Sequence, residues 1–330
     1  MLEHGGHLID AAEKYKIPLS EWVDLSTGIN PNGWAIPEIP TKCWQRLPET
    51  SDGLNSAAKR YYQCESILSV AGSQAAIQTL PLLRPLSKVG VLTPGYAEHA
   101  YSWKKAGHDV IELTAETIES QLHQLDVLII INPNNPTGQH FKKEQLLRWH
   151  QQLNQHGGWL IVDEAFIDTT RKHCLSSDHG TKGLIILRSI GKFFGLAGIR
   201  CGFVIGPEEI LNRLNEKLGP WAISHPSRYI AIQALNDTEW QKHTQKTLKL
   251  QSARLTLLLT KNGLMPNGCT DLFQWIKHPD ALRTHELLAQ RGILTRLFKQ
   301  PSSLRFGLPK NERQFLHLEK ALTGLLMNKP

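Results

Sequence analysis

The stretch SIGKFFGLAGIR, from Ser189 to Arg200, sets one lysine among glycines and apolar residues. A serine stands three positions before Lys192 and an arginine eight after it. A free ammonium is a poor nucleophile at neutral pH. Desolvation or a cationic neighbour lowers its pKa and frees the amine to form a Schiff base with a carbonyl. Three further stretches hold polar residues where chemistry is possible. AGSQAAIQTL, from Ala71 to Leu80, puts small polar residues before a helical pattern, which suits a phosphate at a helix N-terminus. NPNNPTG, from Asn132 to Gly138, reads on its own as a turn-rich loop. WLIVDEAF ends an apolar run on Asp163, a place that equally suits a helix N-cap. Each stretch alone is common; their order along the chain is not.

The elements that must position these residues are legible as short apolar runs: VGVLTP, VLIIINP, WLIVDEA, GLIILRS and GFVIG. Continuous apolar runs predict strands covered on both faces, as in a parallel α/β sheet. Between two of them, KKEQLLRWHQQLNQHGG has helical spacing and ends at Gly157-Gly158. The polar residues of interest follow each run directly, and open α/β sheets bind ligands outside the carboxyl ends of their strands. Beyond residue 230 the pattern changes to a long helix, DLFQWI, a helix near HELLAQRG, strands ILTRLF and SLRFG, and a last helix. The expected organisation is a large domain over residues 39–230 with a mostly parallel sheet. A smaller α+β domain is expected from residues 231–330, completed by residues 1–38.

Composition narrows the function classes. With 41% hydrophobic and 20% charged residues the chain reads as an ordinary soluble globular protein. The net charge of +7 is spread along the sequence without a basic run, which argues against nucleic acid and fits a small anionic ligand. The run VLIII is far too short to span a membrane, and MLEHGGHLIDAAEKYK lacks the apolar core of a secretory signal. The five cysteines are odd in number and scattered, with no CxxC pair. That pattern predicts reduced thiols in a cytoplasmic protein and no metal site.

Taken in order, the Gly-Ser turn opening a helix, PGY, NNPTG, DEAF and SxxK with an arginine eight residues on resemble the aminotransferase superfamily of pyridoxal-phosphate enzymes, fold type I. The resemblance spans nearly the whole chain. It implies that Lys192 carries the cofactor aldehyde and that Ser73, Gln74, Ser189 and Arg200 hold its phosphate. It further implies that Asp163 pairs with the pyridine nitrogen, that Asn135 bonds the ring hydroxyl, and that Tyr96 stacks on the ring face. The chain departs from many relatives at Phe166, where they have a tyrosine. A second departure is Leu47, where they have a tyrosine that reaches a neighbouring subunit.

The N-terminal HGGHLIDAAEKYKIP and WVDLSTGINPNGW, with PGYAEH and DEAFID, resemble the threonine-phosphate decarboxylases of cobalamin synthesis, within the histidinol-phosphate aminotransferase branch. That resemblance implies a phosphorylated amino-acid substrate, a homodimer, and substrate contacts from His4, Asn30, Asn135, Arg296 and Arg305. Arg296 and Arg305 each sit inside an apolar strand pattern, where burial without an anionic partner is costly. By the same likeness Arg305 takes the α-carboxylate and Arg296 the phosphate. A transaminase acting on histidinol phosphate is the alternative within the same fold, and a non-catalytic binding member is a third reading.

Overall fold

The computed structural model describes residues 2, 4–178 and 180–326. Twelve strands occur among them: β1 (Val23–Leu25), β2 (Ile67–Val70), β3 (Lys88–Leu92), β4 (Asp109–Leu113), β5 (Val127–Ile131), β6 (Trp159–Asp163), β7 (Leu184–Ser189), β8 (Gly202–Ile205), β9 (Gly268–Thr270), β10 (Phe273–Lys277), β11 (Ile293–Phe298) and β12 (Ser303–Gly307). The chain divides into two compact units. One comprises the described residues of Met1–Asn32, Pro136–Gln139 and Thr244–Pro330; the other comprises Gly33–Asn135 and His140–His243.

The second unit holds a seven-stranded sheet in the order β2-β8-β7-β6-β5-β3-β4. β5 and β6 are buried at every residue, which is why their sequences are apolar without alternation. The predicted helix between them runs from Lys143 to Asn154 and buries Leu146, Trp149 and Leu153, one stripe at helical spacing. β4, β3, β5, β6 and β7 pair in parallel, whereas β8 is antiparallel to both β7 and β2. Two reversals restore direction, so β8 alone runs backwards. A core that includes Val70, Ile77, Val91, Trp103, Ile161 and Leu187 fills one face of this sheet. The expected mostly parallel α/β sheet is present.

The first unit holds a five-stranded sheet in the order β1-β11-β12-β10-β9. β1 and β11 are parallel, and the pairs β11–β12, β12–β10 and β10–β9 are antiparallel. DLFQWI, ILTRLF and SLRFG form β10, β11 and β12 as predicted, with helices Ala281–Ala289 and Glu312–Leu326. The residues Pro136–Gln139 belong here because Gly138 and Gly268 let two backbones meet. A Cβ on Gly138 would lie 2.4 Å from the carbonyl oxygen of Cys269, and one on Gly268 would lie 1.9 Å from that of Thr137. No described helix is long and apolar enough to cross a membrane.

Candidate active site

Within the second unit, the ends of five strands converge on one pocket, lined by Ser73, Gln74, Tyr96, Asn135, Asp163, Phe166, Ser189, Lys192 and Arg200 among others. All eight residues predicted to bind a cofactor are in this lining. β2 delivers the start of helix Ser73–Thr79, β3 the loop with Tyr96, β5 Asn135, β6 Asp163, and β7 Ser189. Because β8 runs backwards, its first residue lies at the same edge, and Gly202 pairs with Ser189. The segment 190–201 therefore leaves and re-enters the sheet beside the pocket, carrying Lys192 in its course and Arg200 at its end.

Gly72 shows how closely this end is built. Its φ of +72° is a backbone conformation that suits glycine, and a Cβ there would sit 2.9 Å from an Arg200 guanidinium nitrogen. Helix-start N–H groups, the Ser189 hydroxyl and the Arg200 guanidinium thus share one end of the pocket. That donor set fits a phosphate dianion.

Asp163 is 4% exposed. One of its oxygens accepts the N–H of Ala165 at 3.0 Å, and the other lies 3.0 Å from Nε2 of the buried His99. A buried carboxylate so held faces the pocket ready for a cationic or N–H partner. Tyr96 donates its hydroxyl to Gln74 Oε1 at 3.2 Å, and Gln74 donates its amide to Glu98 at 2.8 Å. Burial, then Glu98 and Asp163, push the Tyr96 phenol up to about 12, so it remains a donor across the neutral range. Lys192 is half-buried, with its Nζ 5.5 Å from the centre of the Phe166 ring. The polar rim at one end, the carboxylate, the apolar walls and the single lysine fit a phosphorylated pyridine aldehyde.

In NPNNPTG the asparagines divide their labour. Asn132 closes its own loop on Phe141 through its amide and carbonyl, and Asn134 donates to the carbonyl of Pro94 at 2.8 Å. Asn135 is the member that lines the pocket.

The four remaining predicted residues lie in the first unit. Arg296 and Arg305 are direct cross-strand partners. Like charges so placed destabilise a sheet. Arg305 is 7% exposed and donates to the carbonyl of Ser26 at 2.8 Å. Burial, then Arg296, pull its guanidinium down to about 10, with Asp24 acting in the opposite sense. Asn30 is buried and accepts the N–H of Asn32 at 2.9 Å. His4 is exposed, and the glycines after it serve a backbone contact. Gly6 donates to the Ser26 hydroxyl at 2.8 Å, and a Cβ on Gly5 would lie 2.4 Å from the Ser26 carbonyl oxygen. The N-terminal segment therefore rests on the residue that Arg305 holds. At the two departures, Phe166 is buried and Leu47 is 62% exposed.

His99 and Glu98 carry roles that the motifs did not announce. The signal was present, since in PGYAEH a histidine follows Tyr96 by one helical turn, and it is this buried ring that meets Asp163. Its partner is 64 positions away, and no local pattern names it.

The description "aminotransferase class I and II" matches residues 23–317. The chain is 51% identical over 324 residues to a threonine-phosphate decarboxylase of Pseudomonas aeruginosa, covering 98% of each chain. It is 39% identical over 329 residues to a threonine-phosphate decarboxylase of Sinorhizobium, again covering 98% of each. The solved histidinol-phosphate aminotransferase of Sinorhizobium meliloti, in complex with pyridoxal-5'-phosphate, superposes with a TM-score of 0.84 at 18% identity, covering 98% of this chain and 96% of that one.

Proposed function

The chain belongs to the aminotransferase class I and II family, and from that premise we propose that it decarboxylates O-phospho-L-threonine with pyridoxal phosphate. The products are (R)-1-amino-2-propanol O-2-phosphate and carbon dioxide, and the setting is cobalamin synthesis. The observation that carries this reading is half-identity, end to end, with a decarboxylase of that name.

The pocket supports it chemically. Ser73, Gln74, Ser189 and Arg200 hold the cofactor phosphate. Asp163, oriented by His99 and by the Ala165 N–H, would keep a proton on the pyridine nitrogen. Asn135 would bond the ring hydroxyl, Tyr96 would cover a ring face, and Lys192 would hold the aldehyde. When bound, the cofactor supplies an electron-withdrawing ring for the pair left on the substrate's α-carbon. Lys192, in its ammonium form, would return a proton to that carbon after carbon dioxide leaves, ending as the amine.

A transaminase and a decarboxylase use the same ring and the same aspartate, so orientation of the substrate selects the bond that breaks. The deciding experiment supplies purified enzyme with phosphothreonine and follows gas and cofactor together. Carbon dioxide should appear in step with the amine while the cofactor stays in the aldehyde form. Stoichiometric conversion to pyridoxamine phosphate without carbon dioxide, reversed by a keto acid, would assign the chain to transamination instead.

Substrate anions belong in this reading to Arg305, for the α-carboxylate, and to Arg296, for the phosphate, with His4 and Asn30 beside them. Replacing Arg305 by alanine should impair every amino-acid substrate. Replacing Arg296 should lower kcat/KM for phosphothreonine far more than for threonine. Loss of one member of a buried charged hydrogen bond costs about 2–5 kcal/mol, or roughly 30-fold or more. Equal losses on both substrates with Arg296→Ala would remove its phosphate role.

A homodimer is part of the same proposal. Trp44, Leu47 and Trp221 are 66%, 62% and 60% exposed. His225 lies 3.4 Å from the Arg46 carbonyl, which brings together the two segments that carry them. Large apolar groups gathered this way suit an interface core. Sedimentation at assay concentration should give twice the chain mass, and a fully active monomer would refute it. Cytoplasmic placement is also inferred, supported by five cysteines that form no disulfide. Activity recovered only with membranes would contradict it.

A further inference from the structure

The run DEAFID holds three carboxylates, and only Asp163 is among the residues lining the pocket. Glu164 and Asp168 are 0% and 2% exposed and both close on Arg188, itself 1% exposed. Arg188 Nη1 donates to Glu164 at 2.8 Å, and Nη2 donates to Asp168 at 2.7 Å. The other Glu164 oxygen accepts the N–H of Leu175 at 2.8 Å. The Tyr61 hydroxyl donates to Asp168 at 2.9 Å, and the guanidinium carbon lies 4.5 Å from the centre of the Tyr62 ring. Burial pushes the Glu164 carboxyl up, against the pull of Arg188 and the Leu175 N–H. Burial alone would lower Arg188, but Asp168 and Glu164 hold it well above its ordinary value.

A buried triad of this kind stabilises a fold little, since well-packed apolar residues often do as well or better. Its placement in sequence gives it another use. Glu164 directly follows Asp163, and Arg188 directly precedes Ser189. Alternate residues of a strand face opposite sides, so a rigid fork on one side sets what stands on the other. At this end the strands are joined by the pairing of Asp163 with Leu187 and by the bond from Glu164 N–H to the Leu187 carbonyl at 2.9 Å. Beyond that the chain leaves the sheet. Glutamine at 164 would not serve, because two N–H groups point at its two oxygens and one would then face another donor.

We propose that Arg188, gripped by Glu164 and Asp168, is a positioning residue that fixes the ends of β6 and β7 and thereby sets Asp163 against Ser189 and Lys192. This rests on the reading of the pocket as a pyridoxal-phosphate site. A displacement of about 1 Å in such a constellation costs on the order of a hundredfold in rate.

The test compares the parent with Glu164→Leu/Arg188→Met/Asp168→Leu, which removes all three charges together, and with Arg188→Lys, which keeps the charge and loses the second arm. Each protein is melted by circular dichroism, titrated as apoenzyme with pyridoxal phosphate, and followed for the pH midpoint of its visible band, kcat and KM. The triple variant should melt within about 5 °C of the parent, yet bind the cofactor roughly tenfold more weakly, shift the midpoint and lose about a hundredfold in kcat with KM nearly unchanged. Arg188→Lys should move the same readouts by roughly tenfold. A folded triple variant with parental affinity, midpoint and kcat overturns the proposal. If the triple variant does not fold, parental values in Arg188→Lys overturn it. If the parent binds the cofactor but releases no carbon dioxide from phosphothreonine, the substrate assignment falls, while affinity and midpoint still decide the role of Arg188.

Discussion

Lys192→Ala should abolish decarboxylation of phosphothreonine, with kcat/KM down by roughly 10⁴-fold or more, equivalent to about 5.4 kcal/mol of transition-state stabilisation. Two observations set the size. Lys192 is the one lysine among the described residues that line the pocket, so no other ammonium stands by to take over. Its surroundings are small or apolar, with Gly191, Ala197 and the Phe166 ring near it. The same residue is assigned two tasks, holding the aldehyde and returning the proton, and alanine removes both at once. Borohydride reduction of the parent followed by peptide mapping should place the cofactor label on the peptide that contains Lys192. A label on another lysine, or a variant within tenfold of the parent, would end the assignment.

Asp163→Asn should leave the cofactor bound and lower kcat by about 10²–10³-fold, with KM changed little. Asparagine has the same shape and can still accept the Ala165 N–H, so packing at the end of β6 should survive. What disappears is the negative charge. In a site this buried, a carboxylate favours a proton on a facing ring nitrogen far more than an amide can. A protonated ring is the better electron sink, so the loss belongs to the chemical step. Steady-state kinetics beside a cofactor titration separates the two effects. Loss of cofactor with normal turnover in the remainder would show that Asp163 serves binding alone.

The sequence disclosed the site better than the scaffold that orients it. β5, β6 and β7 were plain because strands covered on both faces carry long apolar runs, broken here only near their carboxyl ends by Asp163, Arg188 and Ser189. β4, with the half-exposed sequence DVIEL, sits at the sheet edge and sends no such signal. The reversal of β8 was not legible, since a strand's direction is set by the path of the preceding loop and not by its own residues. Lys192, Asp163 and Arg200 stood out through spacing within motifs. His99, Glu164 and Arg188 act on partners 20 or more residues away, and periodicity cannot see such pairs. The first unit shows the same contrast. Arg296 and Arg305 were singled out by charge in an apolar strand, but their direct opposition depends on register.

The backward course of β8 has a consequence for how the protein can vary. A parallel crossover returns to the far end of the sheet, so beyond pocket residues such as Tyr96 and Asn135 its length can drift without disturbing the catalytic edge. The segment 190–201 has no such freedom, because it departs at Ser189 and must regain Gly202 directly opposite. It is a closed ring of chain tied at both ends, and Lys192 occupies a fixed distance around it. Closing such a ring with one residue more or fewer carries little entropic penalty, yet it would move the amine relative to the strand ends. Natural insertions and deletions should therefore accumulate in the surface crossovers and be purged here, making the contour length of this ring as much a part of the enzyme as the lysine it presents.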